Sequence, residues 1–156
     1  MKAWQYNNQD FTIDDINNYK GFIYIITNKV NGMKYIGKKL FHSQKLLPPL
    51  KGYKRKRRVV KQSNWEKYYG SCKYLNDDIT KFGKGNFKRE IISLHSDRGD
   101  LNYNEVRLQI LLEVLEKVDT NGERVYYNEN ICRVYYHNPK LNESRVDNYG
   151  KYYDLK

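Results

Sequence analysis

The sequence predicts an α+β fold, and three observations carry that expectation. Asn31-Gly32 stands between two runs of alternating apolar residues, 22–27 and 33–39. Asn-Gly in that setting is the strongest short-range sign of a β-hairpin, because both residues tolerate the positive φ of a type I′ turn. A further β-prone run covers residues 87–94. Two other stretches, 71–82 and 103–118, instead carry apolar residues at helical spacing.

Taken in chain order, residues 1–20 are polar and amide-rich and read as an N-terminal extension. It holds a short helix at 12–19, with Thr12 capping ahead of Asp14 and Asp15. The hairpin follows. Residues 40–63 contain Pro48-Pro49, Gly52 and a basic run, so they read as a long inserted loop that orders against a partner. Residues 65–71 form a short turn or helix ending at Gly70, and Trp65, Tyr68 and Tyr69 read as core rather than as stacking platforms. Ser71 caps a helix to Phe82, with Leu75, Ile79 and Phe82 inward and Gly83 as its stop. The 103–118 helix presents Val106, Ile110, Leu111, Val114, Leu115 and Val118 as its apolar stripe. A turn at 120–123 precedes Val125-Tyr126-Tyr127, and residues 132–156 form a polar C-terminal tail. There is no internal repeat.

A two-residue Asn31-Gly32 loop fixes a register. Val30 pairs with Met33, Asn28 with Tyr35, Ile26 with Gly37 and Tyr24 with Lys39. Strand side chains alternate, so these residues share one face, with opposed Cβ atoms about 5 Å apart. A phenol beside an ammonium is biased toward phenolate. That matters because a free tyrosine, with a pKa of about 10, is a poor base at neutral pH.

The chain has 156 residues, enough for one domain with a modest core. No stretch approaches the roughly 18 apolar residues of a membrane span, so no membrane partner is expected. Residues 1–10 lack an apolar signal core, which points to the cytoplasm. Cys72 and Cys132 have no metal-ligand spacing and read as free thiols. The net charge is +11. Residues 34–73 hold thirteen Lys or Arg against the single acid Glu66, a net +12, so the rest of the chain is near neutral. A like-charged cluster this dense calls for a polyanionic partner, and nucleic acid is the first candidate. The run Lys54-Arg55-Lys56-Arg57-Arg58 lacks the apolar helical face that a membrane surface would need.

Phe22-Ile23-Tyr24 and Tyr35-Ile36-Gly37, at this separation, resemble the paired motif of the GIY-YIG nuclease family. Tyr68-Tyr69-Gly70-Ser71, Lys81-Phe82-Gly83-Lys84-Gly85-Asn86-Phe87 and Tyr126-Tyr127-Asn128-Glu129-Asn130 are similar to stretches of its phage-type and homing members. The resemblance spans residues 21–131, with the basic loop 40–63 as an insertion. It implies a small three-stranded antiparallel sheet flanked by helices. It further implies an endonuclease that hydrolyses DNA phosphodiester bonds with one divalent metal, Mg²⁺ or Mn²⁺. The partner is then DNA, read as double-stranded, with a protein partner or oligomer left open. A phage-encoded copy would work in the host cytoplasm.

The resemblance also implies roles. Tyr24 and Tyr35 match the two motif tyrosines, which position or activate water beside the phosphate, and Gly37 matches the motif glycine. Glu105 matches the metal-binding glutamate, with Glu113 and Glu116 as second choices. Asn128 matches the family asparagine, with Asn130 as alternative. Two departures stand out. Phe22 replaces the first motif glycine, although Gly21 adjoins it, and the ten residues after Gly37 contain no arginine. Lys39 therefore becomes the candidate catalytic cation, with His42 orienting reactants. Lys38, Lys45, Lys54, Arg55, Lys56, Arg57, Arg58 and Lys61 become candidate DNA contacts alongside Gly37. A non-cleaving nucleic-acid-binding module is the alternative reading, and a basic subunit of a larger assembly a weaker third.

Overall fold

A computed structural model describes residues 2–138; the polar tail beyond 138 lies outside the described residues. The chain builds a five-stranded mixed sheet, not the three-stranded antiparallel one expected. The strands are β1 (Trp4–Tyr6), β2 (Gln9–Phe11), β3 (Gly21–Asn28), β4 (Lys34–Leu40) and, after an intervening ribbon, β7 (Phe87–His95). Their order is β2-β1-β7-β3-β4, and β1 joins β7 in parallel. The residues expected as an extension thus supply two strands. Trp4 buries its ring in the core, and its indole N–H donates to the Trp65 carbonyl at 2.8 Å. The helix expected at 12–19 is a single 3₁₀ turn, Ile13–Asp15, and Thr12 does cap it, with Asp15 closing the capping box.

Central β3 is covered on both faces, and this accounts for its nearly continuous apolar sequence. On one face Phe22, Tyr24 and Ile26 pack with Trp4, Phe41, Trp65 and helix α1 (Lys73–Phe82). On the other, Ile23 and Ile36 pack with Leu101 of helix α2 (Arg98–Leu111) and with Val114 and Leu115. Leu75 and Ile79 of α1 face inward as expected, and Gly83 ends the helix at φ +80°. The N-cap is Cys72 rather than Ser71.

The hairpin forms, but its register differs from the expected one by two residues: Tyr24 pairs with Gly37, Ile26 with Tyr35 and Phe22 with Lys39. Two Asx turns are the reason. The Asn28 side chain accepts from Val30 N at 2.9 Å, and the Asn31 side chain from Met33 N at 3.0 Å. They lengthen the loop, Gly32 alone takes positive φ (+76°), and Asn28 N donates to the Met33 carbonyl instead. An even slip preserves the face, so both tyrosines still point to the same side. It separates Lys39 from Tyr24.

The segment expected as a loop at 40–63 contains a second antiparallel pair, β5 (His42–Leu47) with β6 (Arg57–Gln62), outside the main sheet. Helix α2 starts five residues earlier than expected, capped by Asp97, whose side chain accepts from Asp100 N at 2.8 Å. It ends before Glu113, which takes φ +52°. The expected stripe was misphased, since Ile110, Leu111 and Val118 are exposed while Leu101 and Gln109 are buried. Gln109 faces inward because its amide donates to the Ile36 carbonyl at 3.0 Å, a demand that hydrophobic periodicity does not register. Beyond the turn at Gly122, residues 124–128 lie against the start of β4. They are followed by the small pair β8 (Asn130–Ile131) and β9 (Tyr135–Tyr136).

Candidate active site

The edge strand β4 carries the site. Its odd residues Tyr35 and Gly37 face the α1 side with Tyr24, while Lys38 reaches toward α2. Where the two faces meet lies a cleft of about 1070 Å³, lined among others by Tyr24, Tyr35, Gly37, Lys38, Tyr68, Ser71, Arg98, Glu105 and Asn128.

Gly37 has a packing reason of its own. A Cβ there would sit 2.7 Å from the Tyr24 hydroxyl and 3.1 Å from a Tyr35 ring carbon. The absent side chain is the room in which the Tyr24 phenol lies across the strand. On the other side of Tyr24, the β3–β7 pairing shifts between Ile23 and Tyr24. Such an irregularity bends a strand locally and re-aims its side chains. Gly21, beside Phe22, has a similar constraint, because a Cβ would lie 2.5 Å from the Lys39 carbonyl.

Three phenols meet in the cleft. The rings of Tyr24 and Tyr35 are 6.1 Å apart, and Tyr68 stands edge-on to Tyr24 at 6.1 Å and hydrogen-bonds to it. Burial pushes the Tyr24 phenol well above the usual tyrosine range, and the nearby Tyr35, Tyr68 and Glu105 add to the effect. Burial likewise raises Tyr35 to about 12, against a hydrogen bond from Ser71 that favours its ionised form. Both shifts run against the expected phenolate. Lys39 does not correct this. Its ammonium lies 3.9 Å from the centre of the Tyr68 ring and donates to Asn64 at 2.8 Å, opposite Phe22 in the sheet. His42 opens β5 opposite Gln62, is exposed, and does not line the cleft.

Glu105, on the second turn of α2, does enter the cleft, where its carboxylate pairs with the Lys38 ammonium. A linked series from Ser93 through His95 to Asp100 ties the end of β7 to the first turn of α2. That tie fixes the angle at which Glu105 arrives. Asn128 is fully engaged by backbone: it accepts from Ile36 N at 3.0 Å and donates to Ile36 O at 2.8 Å. With Gln109 it clamps Ile36, between Tyr35 and Gly37, through both of that residue's backbone polar groups. Asn130 lines the cleft mouth beside it.

Sequence reasoning passed over four contributors. Tyr68 was expected as core and Ser71 as a helix cap, so neither was read as a cleft residue. Arg98 lies on a helical turn that the late start assigned to α2 had removed. Buried Arg89 on β7 donates to the carbonyls of Glu66 and Tyr68 at 2.8 and 2.9 Å, holding the segment that carries Tyr68. Nothing local in the sequence marks Arg89 as buried; only the three-dimensional arrangement does.

A divalent cation fits this donor set in one way. Among the described residues no group of three or more His, Cys, Asp or Glu converges, so a closed nitrogen or sulfur site is absent. Glu105 lines the open cleft with its carboxylate paired to Lys38, and the other lining carboxylate, Glu129, is paired with Arg124. One carboxylate with room around it suits a hard ion that keeps most of its waters, such as Mg²⁺. Cys72 and Cys132 are free thiols, as expected.

An open cleft on the edge of a mixed sheet, with two motif tyrosines on one face and a helix-borne glutamate arriving from the other, defines the GIY-YIG class of domain. A family model described as "Putative endonuclease segE, GIY-YIG domain" matches residues 4–131, and the chain belongs to that family. The description of that model is of an endonuclease domain. Its matched span takes in β1 and β2 as well as the 21–131 stretch that carries the motif resemblance. No curated protein and no solved structure matches the chain. Among the described residues no helix is long and apolar enough to cross a membrane.

Proposed function

We propose that the chain is a divalent-metal-dependent endonuclease that hydrolyses phosphodiester bonds of duplex DNA. The observation that carries this reading is the meeting of Tyr24, Tyr35, Lys38 and Glu105 in one open cleft. Lys38, Lys73, Arg98 and Arg133 line that cleft and give it the sign a phosphate backbone requires. Glu105 would hold Mg²⁺ or Mn²⁺. Once bound, such a cation supplies Lewis-acid neutralisation of the scissile phosphate and lowers the pKa of a neighbouring water.

The protein's own groups do the rest. Tyr24 and Tyr35 act as neutral phenols, which donate and accept hydrogen bonds and so orient water and a phosphate oxygen. Tyr68 and Ser71 fix the rotation of those two hydroxyls. Lys38 neutralises Glu105 in the free protein and, beside that carboxylate, would be a cleft ammonium for a phosphate, the role the sequence had suggested for Lys39. Asn128 and Gln109 hold Ile36 and hence the spacing of Tyr35 and Gly37.

One observation favours a second reading, a DNA-binding module that does not cut: Glu105 already has a cation, the Lys38 ammonium. Supercoiled plasmid incubated with the protein and Mg²⁺, with EDTA as control, separates the two. Conversion to nicked or linear forms only with the metal is the expected result. Intact plasmid at every protein concentration, with DNA still retained in a binding assay, would establish the module instead.

A further inference from the structure

Among the described residues, no other strand pairs with the β5–β6 ribbon. Its strands pair only with each other, and of its residues only Leu47 and Val59 are half-buried. Residues 42–62 contain eight Lys or Arg and no acid, and none of these cations is in an ion pair among the described residues. Two strands alone are marginal in water, and like charges that neighbour one another across a ribbon weaken it further.

The pairing register sorts the side chains. One face carries Lys45, Arg57 and Lys61 as diagonal neighbours. The other carries Gln44 opposite Val60 and Leu46 opposite Arg58. Leu46 and Val60 are 61 % and 58 % exposed, on a ribbon with no core of its own to build. A surface meant only for phosphates would need cations alone. An amide, a guanidinium and two aliphatic groups together match what base edges offer in the major groove: adenine for the amide, guanine for the guanidinium, thymine methyls for the aliphatics. The size also fits. The major groove admits a two-stranded ribbon, and six residues at about 3.3 Å each span roughly 20 Å, about six base steps.

The ribbon is also firmly rooted. Phe41, between β4 and β5, is fully buried, and its carbonyl accepts from Ser63 N at 2.8 Å while the Ser63 hydroxyl donates to Leu40 O at 2.6 Å. The strand that carries Tyr35 and Gly37 therefore runs directly into the ribbon, which fixes its base relative to the cleft.

We infer that the β5–β6 ribbon reads sequence in the major groove of duplex DNA, with Gln44, Leu46, Arg58 and Val60 against base edges and Lys45, Arg57 and Lys61 on flanking phosphates. The inference rests on the endonuclease reading only for the identity of the polymer. Binding is measured in EDTA, so cutting plays no part. Selection from random duplex, followed by guanine N7 methylation interference on the selected site, supplies the readout. The wild-type chain should enrich a site, and N7 methylation within it should weaken binding tenfold or more. The Gln44→Ala, Arg58→Ala double variant should lose that preference yet hold random duplex within about threefold. Lys45→Ala with Lys61→Ala should weaken all duplexes alike and reduce the logarithmic salt slope by about 1.8, at about 0.9 per phosphate. Circular dichroism and thermal melting confirm that each variant is folded.

An unchanged selected site in the Gln44, Arg58 variant would overturn the inference, as would indifference to N7 methylation or tighter binding to single strands than to duplex. If those results accompany plasmid cleavage in Mg²⁺, the ribbon role fails and the endonuclease reading stands. If interference appears as expected but Mg²⁺ yields no cleavage, the endonuclease reading fails and the ribbon role stands. Failure to bind any duplex defeats both.

Discussion

At the scale of single residues, Gly37 and Glu105 are the positions where one atom decides the outcome. A methyl group at residue 37 meets the Tyr24 hydroxyl at 2.7 Å, and Tyr24 is itself fully packed. Gly37→Ala should therefore destabilise the fold by about 1–3 kcal/mol, the usual cost of overpacking, measurable by urea unfolding. It should also displace the Tyr24 phenol, so cleavage should fall even where the variant remains folded. Glu105→Ala removes the cleft carboxylate that would hold the cation, which in the free protein pairs with Lys38. Cleavage should fall on the order of 10³-fold, while affinity for DNA in EDTA stays within about twofold of wild type. Wild-type turnover by that variant would place the metal elsewhere.

Tyr35 carries a pH prediction. Its pKa is raised to about 12 in the folded chain, against about 10 unfolded. Between those values the folded state binds more protons than the unfolded one, so stability falls as pH rises through that window. Below pH 10 the contribution is fully present. Its loss amounts to on the order of 2 kcal/mol by pH 12, and Tyr24, shifted in the same direction, adds to it. Denaturant unfolding across pH 8–12 should show the decline, and Tyr35→Phe should make it shallower. An equally steep decline in the phenylalanine variant would mean that Tyr35 ionises freely in the folded protein.

At the scale of elements, strand β4 is held at one residue. The Ile36 N–H and carbonyl engage Asn128, and the carbonyl also accepts from Gln109. These bonds are buried, so removing one partner strands a polar group without water. Asn128→Ala should cost about 1–3 kcal/mol. Because the amide positions Tyr35 and Gly37, the variant should also lose turnover with little change in DNA affinity. Combining it with Gln109→Ala should give a non-additive loss, since both act on the same carbonyl. Additive losses would show that the two amides support β4 independently.

At the scale of the whole molecule, charge and shape are divided. The cleft is assembled from β3, β4, the 65–71 segment, α2 and residues 128–133, whereas most of the excess positive charge sits on the ribbon and its tip. Chemistry and grip should then separate in experiment. Replacing Arg55 and Arg57 with alanine should flatten the salt dependence of DNA binding by up to about 1.8 logarithmic units of slope, at about 0.9 for each phosphate no longer neutralised. An unchanged slope would mean that these arginines do not meet the backbone.

The sequence by itself determined what depends on neighbours along the chain. The hairpin, the shared face of Tyr24 and Tyr35, helix α1 with its Gly83 stop, the strand at 87–94 and the concentrated basic charge all follow from local propensity and spacing. The family motif added Glu105 as the carboxylate. Tertiary structure decided the remainder, because the forces involved act between residues far apart in sequence. Paired Asx turns, locked where Asn28 donates to Tyr127 at 2.8 Å, set a register that brings Gly37 rather than Lys39 to Tyr24. A buried Gln109, satisfied only by a strand 73 residues away, rotated α2 against its apolar stripe. Burial among three phenols, rather than a neighbouring ammonium, set the protonation state of the motif tyrosines.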